Sequence, residues 1–190
     1  RYVIDGEGEY TVDSETSGFR IPVNSTAFAM PYKTSYEGHY NSYQIRELPQ
    51  NTAMPLLVKT PYNIWMLFAE AELNSTYSGS MLVPASDGLL NVTFTQQQIN
   101  KGPVKITLPF KSPWRAAIIG TPAEIAESMM IENLNPPSKI EDTSWIKPGI
   151  TSWSWLNGDP TNDKDTYLKY IDLSAEMGWE YTLLDAGWQP

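Results

Sequence analysis

The chain changes texture part of the way along, and that change limits its possible folds more than any single residue. Up to about residue 120, short apolar runs alternate with polar residues at period two, as exposed-face strands do. Tyr62–Leu73 (YNIWMLFAEAEL), Leu89–Thr95 (LLNVTFT) and Val104–Phe110 (VKITLPF) are of this kind. SGS at 78–80, SDG at 86–88 and NKGP at 100–103 separate them. Ala116–Ile119 adds a short apolar strand. Antiparallel strands broken by such turns predict a β-sandwich or part of one.

After Lys147-Pro148-Gly149 the pattern becomes α/β. Ile150–Leu156 (ITSWSWL) is expected as a strand and Asn157–Asp163 as a loop. Asp165–Met177 is an amphipathic helix, with Tyr167, Leu168, Ile171 and Ala175 near one face and Lys169, Asp172 and Glu176 on the other. Gly178 is placed to cap it and Tyr181–Leu184 is a second strand. A strand–helix–strand unit implies parallel pairing. One such unit cannot cover both faces of its own strands, so a larger α/β domain is expected of which 148–190 is a piece. Between the two textures, Thr121–Leu134 opens with Thr and Pro, carries Glu124 at capping-box spacing, and is expected as one short helix ended by Asn135-Pro136-Pro137.

Charge and composition exclude several functions. The formal net charge is -9 and no cluster of basic residues occurs, which disfavours nucleic acid as a partner. With no cysteine, thiolate metal sites, disulfides and Cys nucleophiles are absent. His39 is the single histidine, so a Ser-His-Asp triad is not expected. No run approaches the ~18 apolar residues of a membrane-spanning helix. Seven Trp and 11 Tyr suit sugar faces, where rings stack on C–H groups, but they suit a core equally.

Two places invite chemistry. Trp153, Trp155, Asp185 and Trp188 fall at or beyond the carboxyl ends of the two parallel strands, where α/β folds place their sites. Aromatic rings beside a carboxylate can hold a sugar: the rings stack and the carboxylate accepts hydroxyl hydrogen bonds. The same residues also allow core tryptophans and an aspartate capping the next turn. The second place is PYKTSYEGHYNSY at 31–43, which carries Glu37. A lone carboxylate with no D-x-D-x-D spacing is, on the residues alone, a surface glutamate and not a hard-cation ligand. Glu70 and Glu72 share one strand face and read as solvated groups or turn partners.

Three stretches carry a resemblance: SPWRAAIIG at 112–120, LNPPSKIEDTSWIKPG at 134–149, and GITSWSWLNGD followed by YLKYIDLSAEMGWEYTLLDAGW. Together they resemble glycoside hydrolase family 97, bacterial exo-acting α-glucosidases and α-galactosidases. The resemblance implies a multi-domain β plus α/β protein. Residues 1–120 would be an N-terminal β-super-sandwich shortened at its start, 121–147 a helical linker, and 148–190 the first βαβ unit of a catalytic (β/α)8 barrel.

The family binds calcium through glutamates, one of them from the sandwich, and Glu37 matches that position. Catalytic carboxylates would lie on later barrel strands, beyond Pro190. The LLDAGW ending and the short loop before Tyr167 resemble the retaining, α-galactosidase-like branch, whose strand-end aspartate, here Asp185, holds sugar hydroxyls. Ser154 stands where many members carry Asp. The resemblance thus implies an oligosaccharide or α-glycoside as partner and a periplasmic or secreted location. The alternative is a carbohydrate-binding β-sandwich with no chemistry of its own.

Overall fold

The alternation read in Leu89–Phe94 and Val104–Lys111 is realised as one face turned to the core and the other away from it. The computed structural model describes residues 1–186 and divides the chain into two compact units, Arg1–Pro137 and Ser138–Pro190. The first unit holds eleven strands. A five-stranded antiparallel sheet has the order β11 (Trp114–Gly120), β7 (Trp65–Ala71), β6 (Leu56–Lys59), β3 (Thr26–Ala29), β4 (Asn41–Gln44). A four-stranded sheet has the order β2 (Gly18–Arg20), β9 (Leu89–Phe94), β8 (Ser80–Pro84), β5 (Thr52–Ala53). A two-stranded ribbon pairs β1 (Val3–Val12) with β10 (Val104–Lys111).

The two larger sheets share one core. Leu82, Leu90 and Val92 come from one, and Ala27, Leu56, Val58 and Phe68 from the other. This is a β-sandwich, as the alternation predicts. In β9, Leu90, Val92 and Phe94 are buried while Leu89, Asn91 and Thr93 are only partly so. A second cluster, Tyr77, Phe94, Val104, Ile106 and Phe110, lies under the ribbon. The β8–β9 hairpin turns at Gly88, whose φ is +81°, and a Cβ there would stand 2.2 Å from the Ile21 carbonyl oxygen. Only glycine fits.

Thr121–Leu134 is not one helix. α1 (Gln96–Lys101) precedes it in the chain; α2 (Pro122–Ala126) and α3 (Met130–Leu134) then divide the predicted segment, with a break at 127–129. The predicted capping box is present: Thr121 Oγ1 accepts from Glu124 N, and the Glu124 carboxylate accepts from Thr121 N. The break falls where Ser128 Oγ accepts the Met130 N–H, a side chain taking a backbone donor that a continuous helix would use itself. Both helices pack on β7 and β11.

In the second unit, β12 (Thr151–Trp153) pairs with β13 (Tyr181–Leu183) in parallel, and α4 (Lys164–Met177) connects them. The strand–helix–strand unit is as expected, with Asp163 capping α4 by accepting from Thr166 N and Gly178 ending it at φ +69°. The first strand is shorter than expected. It stops at Trp153, and Ser154–Asn157 turns as a 3-10 helix closed by Gly158 in the left-handed region. Trp155 therefore stands on that turn and not at a strand end.

Candidate functional site

The second unit is built on hydroxyls. Ser152 and Ser174 oxygens lie 2.7 Å apart, and Thr182 Oγ1 is 3.2 Å from Ser152 and 2.9 Å from Ser174. These side chains join both strands to α4 and satisfy one another, as buried polar groups must. Because Ser152 and Thr182 point to the helix, alternation sends Trp153 and Leu183 to the other face of the sheet.

On that side the structure brings together Trp153 and Asp185. The Trp153 indole N–H donates to Asp185 Oδ2 at 3.0 Å, across 32 positions of sequence. Asp185 Oδ1 accepts from the Ala186 backbone N–H at 2.6 Å. The carboxylate is partly buried, and with two lone pairs and one bond on each oxygen it retains acceptor capacity. Trp155 is 62% exposed, a large indole face in solvent. Trp188 lies outside the described residues. Below Trp155 the NGDP turn is tied down: Asp159 accepts from Tyr170 Oη at 2.6 Å and from Asn157 Nδ2 at 2.9 Å. These bonds, Tyr170 first, hold the Asp159 carboxyl below the usual aspartate range. The sequence signalled a turn there, though not that Tyr170 would anchor it. An open groove of about 900 Å³ also runs along β12 and α4, with Leu168, Leu173 and Trp179 in its wall. Trp153 also lines it, while Asp185 and Trp155 do not.

In the first unit Glu37 is exposed, on the connection between the Pro31 bridge and β4. Tyr36 before it has a positive φ of 55°, and its ring meets Tyr32 edge-on at 5.4 Å. Among the described residues no hydrogen bond or ion pair engages the Glu37 carboxylate, and no three Asp, Glu, His or Cys side chains gather into a metal cluster. A free carboxylate is a hard oxygen donor, so Glu37 fits a calcium ion as one ligand of a larger set and not as a site by itself.

Glu70 is the clear departure from expectation. It is not solvated. Its side chain is 7% exposed and pairs with Arg115, itself 7% exposed, while accepting from Ser80 N and Oγ. Arg115 also makes a two-pronged contact with Glu15, Nε to Oε1 at 2.8 Å and Nη2 to Oε2 at 2.6 Å. Tyr77 Oη donates to Glu15 as well. Burial raises the Glu15 carboxyl, but Arg115, through its bonds and its charge, together with Ser17 and Tyr77, outweighs it and leaves it below the ordinary glutamate value. For Glu70 burial wins over Arg115 and Ser80, and its carboxyl is raised. Glu72 pairs with Arg1. The three groups Glu15, Glu70 and Arg115 are almost wholly buried and ion-paired with one another, and we read the cluster as structural.

Comparison with known proteins places these features in context. A family model described as Glycosyl-hydrolase 97 N-terminal matches residues 1–137. A probable retaining alpha-galactosidase of Streptomyces bingchenggensis is 32% identical over 191 residues, which is 99% of this chain and 29% of that protein. A retaining alpha-galactosidase of Bacteroides thetaiotaomicron is 27% identical over 231 residues, 99% of this chain and 34% of its own length. The chain thus spans about a third of the curated relatives it matches. Among solved structures, a Glycoside Hydrolase Family 97 enzyme from Pseudoalteromonas sp. strain K8, in complex with acarbose, superposes with a TM-score of 0.84 at 24% identity. It covers 100% of this chain and 31% of the other, and at that identity the likeness concerns fold alone.

Proposed function

The chain belongs to glycoside hydrolase family 97, and from that premise we propose that it is part of an exo-acting α-glycosidase of the retaining, α-galactosidase-like branch. In this reading 1–137 is the supporting sandwich and the β12–α4–β13 unit opens a (β/α)8 catalytic barrel. Asp185 accepts hydroxyls of the terminal sugar, Trp155 offers a stacking face, and Trp188 joins them. Retaining chemistry places a nucleophile and an acid/base carboxylate about 5 Å apart. Those two groups belong to later strands of the whole protein.

One observation carries the reading: a strand-end aspartate, oriented by an indole N–H, at the carboxyl end of a parallel pair. Sites of such folds sit at that end. The two curated relatives named as retaining alpha-galactosidases support the choice of branch.

Glu37 would serve as one calcium ligand. Bound calcium would supply positive charge and order beside the sugar. The protein's place of work would be the periplasm or outside the cell, where calcium is plentiful. A non-catalytic sugar-binding sandwich is the weaker reading, because a binding module has no use for a parallel βαβ unit.

The test is turnover of 4-nitrophenyl α-D-galactoside and α-D-glucoside by the full-length protein, with the first anomer formed followed by NMR. The expected result is hydrolysis of the galactoside with retained configuration and loss of activity with a calcium chelator. A full-length protein that binds sugar but turns over neither substrate would leave the binding module in possession.

A further inference from the structure

We infer that Trp153 is a positioning residue that acts on the sugar only through Asp185; this rests on the sugar subsite proposed above. Two tryptophans two residues apart look interchangeable in sequence. In the structure they are not. An indole N–H is a donor and nothing else, and it can serve one acceptor. That of Trp153 is committed to Asp185 Oδ2 at 3.0 Å. Its ring is half-buried, whereas Trp155 is 62% exposed with its face in solvent.

The second Asp185 oxygen is held by Ala186 N at 2.6 Å. A carboxylate has about four lone-pair sites, two per oxygen. Trp153 takes one on Oδ2 and the backbone takes one on Oδ1. What remains is one acceptor direction on each oxygen, which matches a ligand with two neighbouring hydroxyls. Without the indole bond the carboxyl group can rotate about its χ2, a broad torsion, and lose that two-point geometry. The chemistry needed at 153 is therefore an N–H at a fixed reach. At 155 any flat ring serves.

The experiment uses the full-length protein with 4-nitrophenyl α-D-galactoside, reading KM and kcat separately. Trp153→Phe keeps an aromatic ring and removes the donor; it is expected to raise KM about tenfold, the worth of one hydrogen bond to a charged group. In an Asp185→Asn background Trp153→Phe is expected to add little, since the two residues act as one unit. Benzothienylalanine at 153, an isostere with sulfur in place of N–H, guards against misfolding and is expected to reproduce the Phe defect, while 7-azatryptophan, which retains the N–H, restores wild-type KM.

A wild-type KM in both donor-free variants overturns the positioning role. So does a full tenfold effect that persists in the Asp185→Asn background, since Trp153 would then touch the sugar itself. An Asp185→Asn enzyme with wild-type KM and kcat removes the sugar subsite itself, and the positioning role with it. A damaged Asp185→Asn enzyme beside an unaffected Trp153→Phe enzyme removes the positioning role alone.

Discussion

Asp185 and Glu15 are both carboxylates bonded to a planar nitrogen donor, yet they belong to different kinds of place. Glu15 is 2% exposed, and Arg115 and Tyr77 occupy its oxygens. Glu70 completes the cluster on the other side of the guanidinium. Two negative groups thus share one positive group inside the sandwich, and every one of them has its bonds. Asp185 receives one indole and one backbone N–H, is partly open, and has acceptor capacity left. A carboxylate buried and ion-paired inside the protein holds the fold; one left partly open at a strand end is available to a ligand, the role proposed for Asp185. Glu37, exposed and with no partner among the described residues, lies further along the same scale.

That contrast can be broken at either end. The largest effect on stability is expected from Arg115→Met, which strands Glu15 and Glu70 as uncompensated buried charges and costs about 3–5 kcal/mol. Replacing all three by apolar residues of similar volume is expected to recover most of that loss. Denaturant unfolding of the two proteins decides it.

Next comes pH. The Glu15 carboxyl is depressed in the fold, so its stabilisation is present above the ordinary glutamate pKa and lost as pH falls through the folded value. The Glu70 carboxyl is raised, so its contribution is fullest below the ordinary glutamate pKa and declines as pH rises through the folded value. Glu15→Gln should therefore flatten the acid side of a melting-temperature profile, and Glu70→Gln should remove a decline on the neutral side.

A smaller effect is expected at Glu37. In the full-length protein, Glu37→Gln should weaken calcium binding about tenfold or more by calorimetry, with a melt unchanged in calcium-free buffer. Smallest is Trp155→Ala, which should raise KM several-fold with little change in stability, since the ring contributes stacking and almost no packing. A melting point lowered by many degrees would place Trp155 in the core instead.

Much of this was legible in the sequence, and the rest was hidden for definable reasons. Alternation in Leu89–Phe94 and Val104–Lys111 marks its strands because one face of each is buried. The end of α4 was readable from Gly178, and its start was expected at Asp165, one residue late, because the Asp163 cap was not recognised. β1 was obscure: its VIDGEGEYTV carries Gly6 and Gly8 at positive φ and a register shift, so no clean period survives. The predicted helix over 121–134 failed because the capping box marks where a helix starts and says nothing of Ser128 interrupting it.

Glu70 was misjudged because the residues that bury it, Arg115 and Glu15, are 45 and 55 positions away. Long-range pairing leaves no local trace. Asp185 was visible from its place at a strand end, while its bond to Trp153 spans 32 positions and needed the fold.

The most direct test of the account is one preparation of full-length Asp185→Asn, measured for both kcat/KM on 4-nitrophenyl α-D-galactoside and thermal stability. Loss of two charge-assisted hydroxyl contacts predicts a fall of about 100-fold in kcat/KM. The melting temperature should stay within about 2 °C of wild type, as for a substitution that leaves the packing intact. Wild-type turnover, or a loss of activity matched by a collapse in stability, would show that Asp185 belongs with Glu15 as a residue of the fold.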